Sequence, residues 1–375
     1  MTNESNKSRK QAMLRKDWSV IPLKDEVSGN LSYEFTFPVG DDTMGCLELG
    51  NELSTREMSR SLARRTTLLP KRGAEAFIQK LIGAAPKKFV VKAGQPGWKR
   101  SPSSSDKGFV AFVTPGQITG PGAALFRSPA SGNSRPQLGQ HAGDIDVDGW
   151  SDSIGKLAEL SNYIAFGIMA ALAGPLLRFV ELPEDPAFNF VGPSSGGKTC
   201  AAMAGASALG HPAAISNWDL TERAVEEAAA ARNDCLLVLN AAEKASPKRR
   251  RGVLNRIVHM VAERQSTVRS ESVQDRLPDL TWQTLLLTTS NKTGAKMAND
   301  LGLPWQEQEA VRFLDIPVPG PDDGGIVDRL RAAPDRASKS TRLIQAGTRS
   351  QETLRRPVGA MDRASSRDTA SAARR

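Results

Sequence analysis

The run Gly192-Pro193-Ser194-Ser195-Gly196-Gly197-Lys198-Thr199 fits the pattern G-x-x-x-x-G-K-[ST] throughout. The spacing makes chemical sense as a phosphate site. Glycines let the backbone curl until successive N–H groups face one cluster of phosphate oxygens. A helix that follows adds the positive end of its dipole. Lys198 then places a charge near the β- and γ-phosphates, and the Thr199 hydroxyl reaches Mg²⁺. An apolar run, Phe188 to Val191, precedes the motif, and Cys200 onward suits a helix. The expectation is a bound nucleoside triphosphate, ATP with Mg²⁺; the plain alternative is a Gly/Ser-rich turn.

Other residues could complete such a site. Leu236 to Leu239 reads as a buried strand ending in Asn240-Ala241-Ala242-Glu243. A hydrolysing NTPase usually carries Asp at that strand end, holding the metal, with Glu beside it to orient water. Asn240 offers an amide oxygen on the metal side but no charge. Glu243 is displaced by two positions and needs a tight turn to reach the γ-phosphate; otherwise it is a solvated carboxylate at a helix start. The strand Thr284 to Thr289 ends in Ser290-Asn291, where Asn291 is either a γ-phosphate sensor or a turn residue. Arg312, just ahead of an apolar strand, is either an arginine finger for a neighbouring subunit or a surface arginine paired with Glu309. The run Lys248-Arg249-Arg250-Arg251 reads as a solvated face. The segment from Arg264 to Pro278, with Arg269 and Arg276, occupies the place where ring translocases face a central channel.

The elements that must hold these residues follow from periodicity. Ala187–Val191, Cys235–Leu239, Thr284–Thr289 and Phe313–Ile316 read as strands. Leu157–Val180, Thr199–Leu209, Leu220–Arg232 and Lys248–Glu263 read as helices. The alternation predicts a parallel sheet covered on both faces, an α/β fold at residues 146–330. Residues 21–145 read as a smaller mixed α+β domain. It has a strand at Tyr33–Val39, a helix at Ala74–Ala84 and short strands at Phe89–Val91 and Gly108–Thr114. A Ser-rich basic turn spans Lys99–Lys107, and a long loop spans Gly116–Gly143. Residues 1–20 and 331–375 read as a disordered basic arm and tail.

The net charge of +9 sits in those ends. Residues 1–20 contribute 5 − 2 = +3 and residues 331–375 contribute 11 − 4 = +7, leaving −1 for residues 21–330. Basic ends bind nucleic acid without sequence preference, so the overall charge says little about the body. Three scattered cysteines, Cys46, Cys200 and Cys235, suit reduced thiols in a cytoplasm. His141, His211 and His259 do not cluster, and no zinc spacing exists. The uncharged run Ser161–Leu177 is shorter than the ~20 residues of a spanning helix and holds Gly and Pro. It reads as a buried helix, and no membrane partner is expected.

The chain resembles the family called domain of unknown function 927. The resemblance rests on Phe188 to Thr199, on Trp218 with Thr221 and Glu226, on Asn233-Asp234, and on Val311-Arg312-Phe313-Leu314-Asp315-Ile316-Pro317. It runs from Gly97 to Pro319. Such proteins are similar to superfamily-three and AAA+-like helicases of mobile elements. The resemblance implies an ATP-driven DNA motor, a homo-oligomer of hexameric-ring type, and a primase as partner. Asn240 stands where the family has aspartate. After about Leu343 the tail departs from the family, which suggests a truncated or frameshifted end.

The leading expectation is a helicase-like ATPase. A switch or assembly subunit that binds ATP with weak or no hydrolysis is the rival, and a truncated inactive member is a third reading.

Overall fold

The computed structural model describes residues 18–39, 43–102, 108–129, 147–211, 213, 215–266 and 279–328. The basic arm up to residue 17, the tail from 329, His141, and Arg269 with Arg276 lie outside the described residues. The fold is α/β, with one mixed and one parallel five-stranded sheet. The chain forms two compact units. The first comprises Met1–Gly94, Lys99–Val113 and Ile118–Pro129; the second comprises Gln95–Trp98, Thr114–Gln117 and Ala130–Arg375.

In the first unit β1 (Ser19–Asp25), β2 (Leu31–Pro38) and β3 (Met44–Gly50) form an antiparallel meander. Helices α1 (Thr55–Ala63) and α2 (Ala74–Gly83) follow, and β4 (Val90–Lys92) returns parallel to β1. β5 (Gly97–Arg100) enters this unit only at Lys99; β6 (Phe109–Val113) pairs antiparallel with β7 (Ile118–Thr119), and β8 (Phe126–Arg127) joins β4. Alternation along β2 puts Phe35 and Phe37 into a core with Trp18, Met58, Leu62 and Ile78. Three expectations need correction. The arm assigned to residues 1–20 overlaps β1, because Trp18 stacks on Phe37 and Val20 is buried. The loop expected at Gly116–Gly143 contains β7 and β8, whose backbones pair with β6 and β4. Lys99 is no turn cation; it is buried and pairs with Glu26 at 2.6 Å.

The second unit is a parallel sheet in the order β10-β11-β12-β9-β13. Its strands are β9 (Ala187–Val191), β10 (Ser216–Asn217), β11 (Cys235–Asn240), β12 (Thr284–Ser290) and β13 (Phe313–Pro317). The central strands are apolar runs buried on both faces, as parallel strands must be. One face is covered by α3 (Asn162–Leu176) and α4 (Lys198–Ser207). The other is covered by α5 (Glu222–Ala230), α6 (Pro247–Glu263) and α7 (Gly294–Leu301), and the short α8 (Glu307–Arg312) leads into β13. Residues 147–160 form an irregular helical stretch ahead of α3, interrupted at Ser161, whose side chain caps α3.

Asn162–Phe179 is long and apolar enough to cross a membrane by length and composition alone. One side closes on α4, where a Cβ at Gly167 would meet the Ala201 carbonyl at 2.6 Å. Met169, Leu172, Leu176 and Phe179 are exposed on the other.

Candidate nucleotide site

β9 ends at Val191, and the loop Gly192–Gly197 delivers the chain into α4 at Lys198. Gly197 takes φ 91° and Ser195 φ 64°, so the loop turns through the left-handed region twice. That coils the backbone around one point at the start of α4. Lys198 is 7% exposed, and its ammonium donates to the carbonyls of Gly192 and Pro193 at 2.7 Å each. Burial pulls the Lys198 amine below the ordinary lysine range, and the negative charge of Glu243 opposes that pull.

The strand order brings the other parts to the same edge. β12 lies between β9 and β11, so the tips of all three strands meet beside the loop. Asn291 accepts from Lys198 Nζ at 3.2 Å and donates to Ser194 Oγ at 3.2 Å. Asn240 Oδ1 accepts from Thr199 Oγ1 at 2.8 Å and from Thr289 Oγ1 at 2.7 Å. A tight turn follows Asn240 and carries Glu243. Ala241 adopts φ 60°, and a 3-10 turn spans Ala242–Lys244. Thr289 Oγ1 accepts from the Ala241 N–H at 2.8 Å, which ties that turn to β12.

Lys198, Thr199, Asn240, Glu243 and Asn291 are therefore gathered at one edge of the sheet. Arg312 is not. β13 runs parallel to β9 with Phe313 opposite Ala187, so Arg312 sits at the edge where β9 begins. There its guanidinium grips Glu184 through two bonds of 2.8 and 2.7 Å. That ion pair takes the place of the one imagined with Glu309. It pushes the Arg312 pKa up and holds Glu184 below the usual carboxylate range.

Several residues at the site carry no motif. Arg250 lies in the run Lys248–Arg251, whose composition suits a solvated face, yet its guanidinium donates to three backbone carbonyls. These are Ala242 at 2.9 Å, Glu243 at 3.0 Å and Ala245 at 2.9 Å, so Arg250 shapes the turn that holds Glu243. Arg251 donates to Leu301 O at 2.6 Å at the end of α7. Asn189, fully buried in β9, bonds Ser290 Oγ at 2.9 Å and Asp315 Oδ1 at 2.7 Å. Asp315 also accepts from the Gly294 N–H, which fixes the turn carrying Asn291. A sequence cue existed for this network: polar Asn189 and Asp315 interrupt apolar strands.

A strap after β13, Val318–Asp328, braces the loop from behind. Val318 N donates to Val191 O at 2.7 Å and Ile326 N to Gly196 O at 2.9 Å. The approach is close enough that a Cβ on Gly192 would lie 2.1 Å from Val318 O. Ser161 and Asn162 hold the far end through Ile326 O and Asp328.

The residues fit a magnesium ion brought in with phosphates. Thr199 and Asn240 present oxygen atoms, the ligand type Mg²⁺ takes, and the metal usually draws its remaining ligands from water and phosphate. Among the described residues no group of three or more His, Cys, Asp or Glu could hold a metal by itself.

Trp218, Thr221, Glu226, Asn233 and Asp234 perform structural work. Trp218 is buried and donates to Thr288 Oγ1 at 2.7 Å. Thr221 caps α5, and Glu226 pairs with Arg223 and Arg256. Asn233 caps the Gln283 N–H, and Asp234, buried at φ 55°, pairs with Arg178 at 2.7 Å.

No curated protein matches the chain. Among solved structures it is similar to the one described as SCCmec type IV Cch - active helicase, at 15% identity and a TM-score of 0.56. The match covers 87% of this chain and 57% of that one, so this chain spans little more than half the length of that protein. At that identity the likeness concerns the fold. A second structure, NtrX from Brucella abortus, aligns at 11% identity over 46% of each chain with a TM-score of 0.26, which carries no argument. The profile of the family described as Domain of unknown function (DUF927) matches residues 54–275. The match starts upstream of Gly97 and stops short of the Val311–Pro317 box. Covering more than half of the chain, it shows that the protein belongs to the DUF927 family.

Proposed function

We propose that the protein is an ATP-binding P-loop NTPase of helicase type that acts on nucleic acid in a mobile element. The observation that carries the reading is the convergence of Lys198, Thr199, Asn240 and Asn291 on one strand edge around a loop that turns twice through the left-handed region. In this reading the N–H groups of Gly192–Gly197 and the Lys198 ammonium hold the phosphates. Thr199 and Asn240 hold Mg²⁺, whose chemistry is to neutralise charge on the transferring phosphate. Asn291, already bonded to Lys198, senses the γ-phosphate. Glu243 orients the attacking water from the turn that Arg250 shapes. Arg312 lies away from its own chain's loop, so its role is toward a neighbouring copy in a ring, released from Glu184. The helicase named in the fold comparison supports the choice of nucleic acid as the substrate.

The second reading is a nucleotide-dependent switch or assembly subunit with little turnover. Asn240 favours it: its amide oxygen carries no charge and already accepts two hydroxyls. ATP turnover by the full chain, with and without single-stranded DNA and beside a Lys198→Ala variant, separates the two. DNA-stimulated turnover abolished by the substitution supports the motor. Tight ATP binding without turnover supports the switch. An absence of ATP binding defeats both.

A further inference from the structure

The near-zero charge of the chain's body conceals a segregation. Residues 18–51 hold one basic and six acidic side chains, 1 − 6 = −5. Residues 52–88, which contain α1 and α2, hold nine basic and three acidic, 9 − 3 = +6. The nine basic residues are all exposed, and none forms an ion pair among the described residues. Cations on the adjoining sheet behave differently: Lys92 pairs with Glu48 at 2.8 Å and Arg127 with Glu34 at 2.9 Å.

Helix geometry arranges the unpaired charges. Met58 and Leu62 face the core, at 2% and 0% exposure. Arg56, Arg60 and Arg64 recur every four residues on the opposite side, a row about 12 Å long at 1.5 Å per residue. α1 packs against α2, whose core side is Ile78 and whose outer side carries Lys80, with Lys87 and Lys88 just beyond its end. Directly after them Phe89 is 47% exposed. An exposed aromatic ring directly after two cations, on the unit that also carries the arginine row, offers the pairing that single-stranded nucleic acid uses, with phosphates on charges and a base on a ring.

We propose that the outer face of α1 and α2, with Lys87, Lys88 and Phe89, is a binding surface for single-stranded nucleic acid. The proposal deepens the reading of the protein as one acting on nucleic acid and names the surface that does the holding.

The test is fluorescence anisotropy of the full chain with a labelled single-stranded DNA of mixed sequence, titrated between about 50 and 200 mM salt. Substituting Arg56→Gln, Arg60→Gln and Arg64→Gln together removes three phosphate contacts. The slope of log affinity against log salt should shrink by about 2, at about 0.7 per contact for single strands, and affinity near 0.1 M salt should fall about a hundredfold. Phe89→Ala should weaken binding about tenfold with the salt slope unchanged, because stacking releases no counterions. Protection of Lys80, Lys87 and Lys88 from acetylation by bound DNA in the unsubstituted protein reads the same surface without any variant. A triple variant that melts like the wild type and keeps its affinity and slope overturns the proposal. So does wild-type binding to phosphatidylserine vesicles without binding to DNA. ATP turnover measured on the same samples keeps the nucleotide site's standing separate: turnover without DNA binding defeats the surface and leaves the site intact.

Discussion

Replacing Asn240 by aspartate tests the metal side of the site with a change of one atom. Asn240 Oδ1 already receives Thr199 and Thr289 at 2.8 and 2.7 Å, so a carboxylate can occupy the same position without repacking. Hydrogen bonds to a charged acceptor contribute about 1.5–3 kcal/mol against about 0.5–1.5 for a neutral one, so two of them gain about 2 kcal/mol. A unit charge pair about 4 Å apart adds about 4 kcal/mol at an effective dielectric constant near 20 once the metal arrives. Desolvating the new carboxylate beside Thr289 takes back much of both. A net gain of about 1.4–2.8 kcal/mol in the transition state corresponds to a tenfold to hundredfold rise in turnover. Phosphate release at saturating ATP, followed across a Mg²⁺ titration, reads this directly. Half-saturation should also move to lower Mg²⁺. An Asn240→Asp protein that melts normally, binds ATP as the wild type does and shows no rise would refute the assignment of position 240 to the metal.

Three further perturbations bear on the same edge of the sheet. Arg250→Ala removes three bonds to carbonyls; we expect about 2–3 kcal/mol lost in chemical denaturation and lower turnover. Arg250→Lys should recover only part of both, since a point charge cannot span three carbonyls. Gly325→Ala places a Cβ 2.6 Å from Gly196 O at φ +56°; nucleotide affinity should fall more than the melting temperature does. The Glu184 carboxyl is held low by Arg312, so its contribution is complete above the unfolded value of about 4.3 and disappears as pH falls through the depressed one. Glu184→Gln should flatten the acid limb of thermal stability below about pH 4.3; an unchanged limb would show the half-exposed pair to be inert.

The turn at Gly192–Gly197 and the strands around it were legible because both signals are local. Eight residues specify the loop, and buried parallel strands announce themselves as unbroken apolar runs such as Leu236–Leu239. The meander of the first unit was only partly legible. β1 and β3 are half-buried, and α1 was signalled by Ser54 and Glu57, a capping box that its short apolar pattern obscured. Arg250 shows a different limit. In sequence it is one of four consecutive cations; only the fold reveals that its guanidinium points into the carbonyls of the Glu243 turn while Lys248 and Arg249 face water. Arg312 illustrates register: its place at the far edge from the loop depends on the pairing of Phe313 with Ala187, a long-range fact that no window of sequence contains.

The strap has a practical corollary for dissecting the protein. A fragment cut after Pro317 would retain the Gly192–Gly197 loop, Asn240, Asn291 and Arg312, and by inspection of motifs it would look whole. It would nevertheless lose the N–H groups of Val318 and Ile326 that fasten Val191 and Gly196, together with the grip of Asp328 on the start of α3. A fragment cut at the family boundary, residue 275, would lose β12 and β13 as well. A fragment that keeps the Gly192–Gly197 loop braced therefore extends through residue 328, and transplanting this loop into another scaffold means moving its rear brace along with its motif.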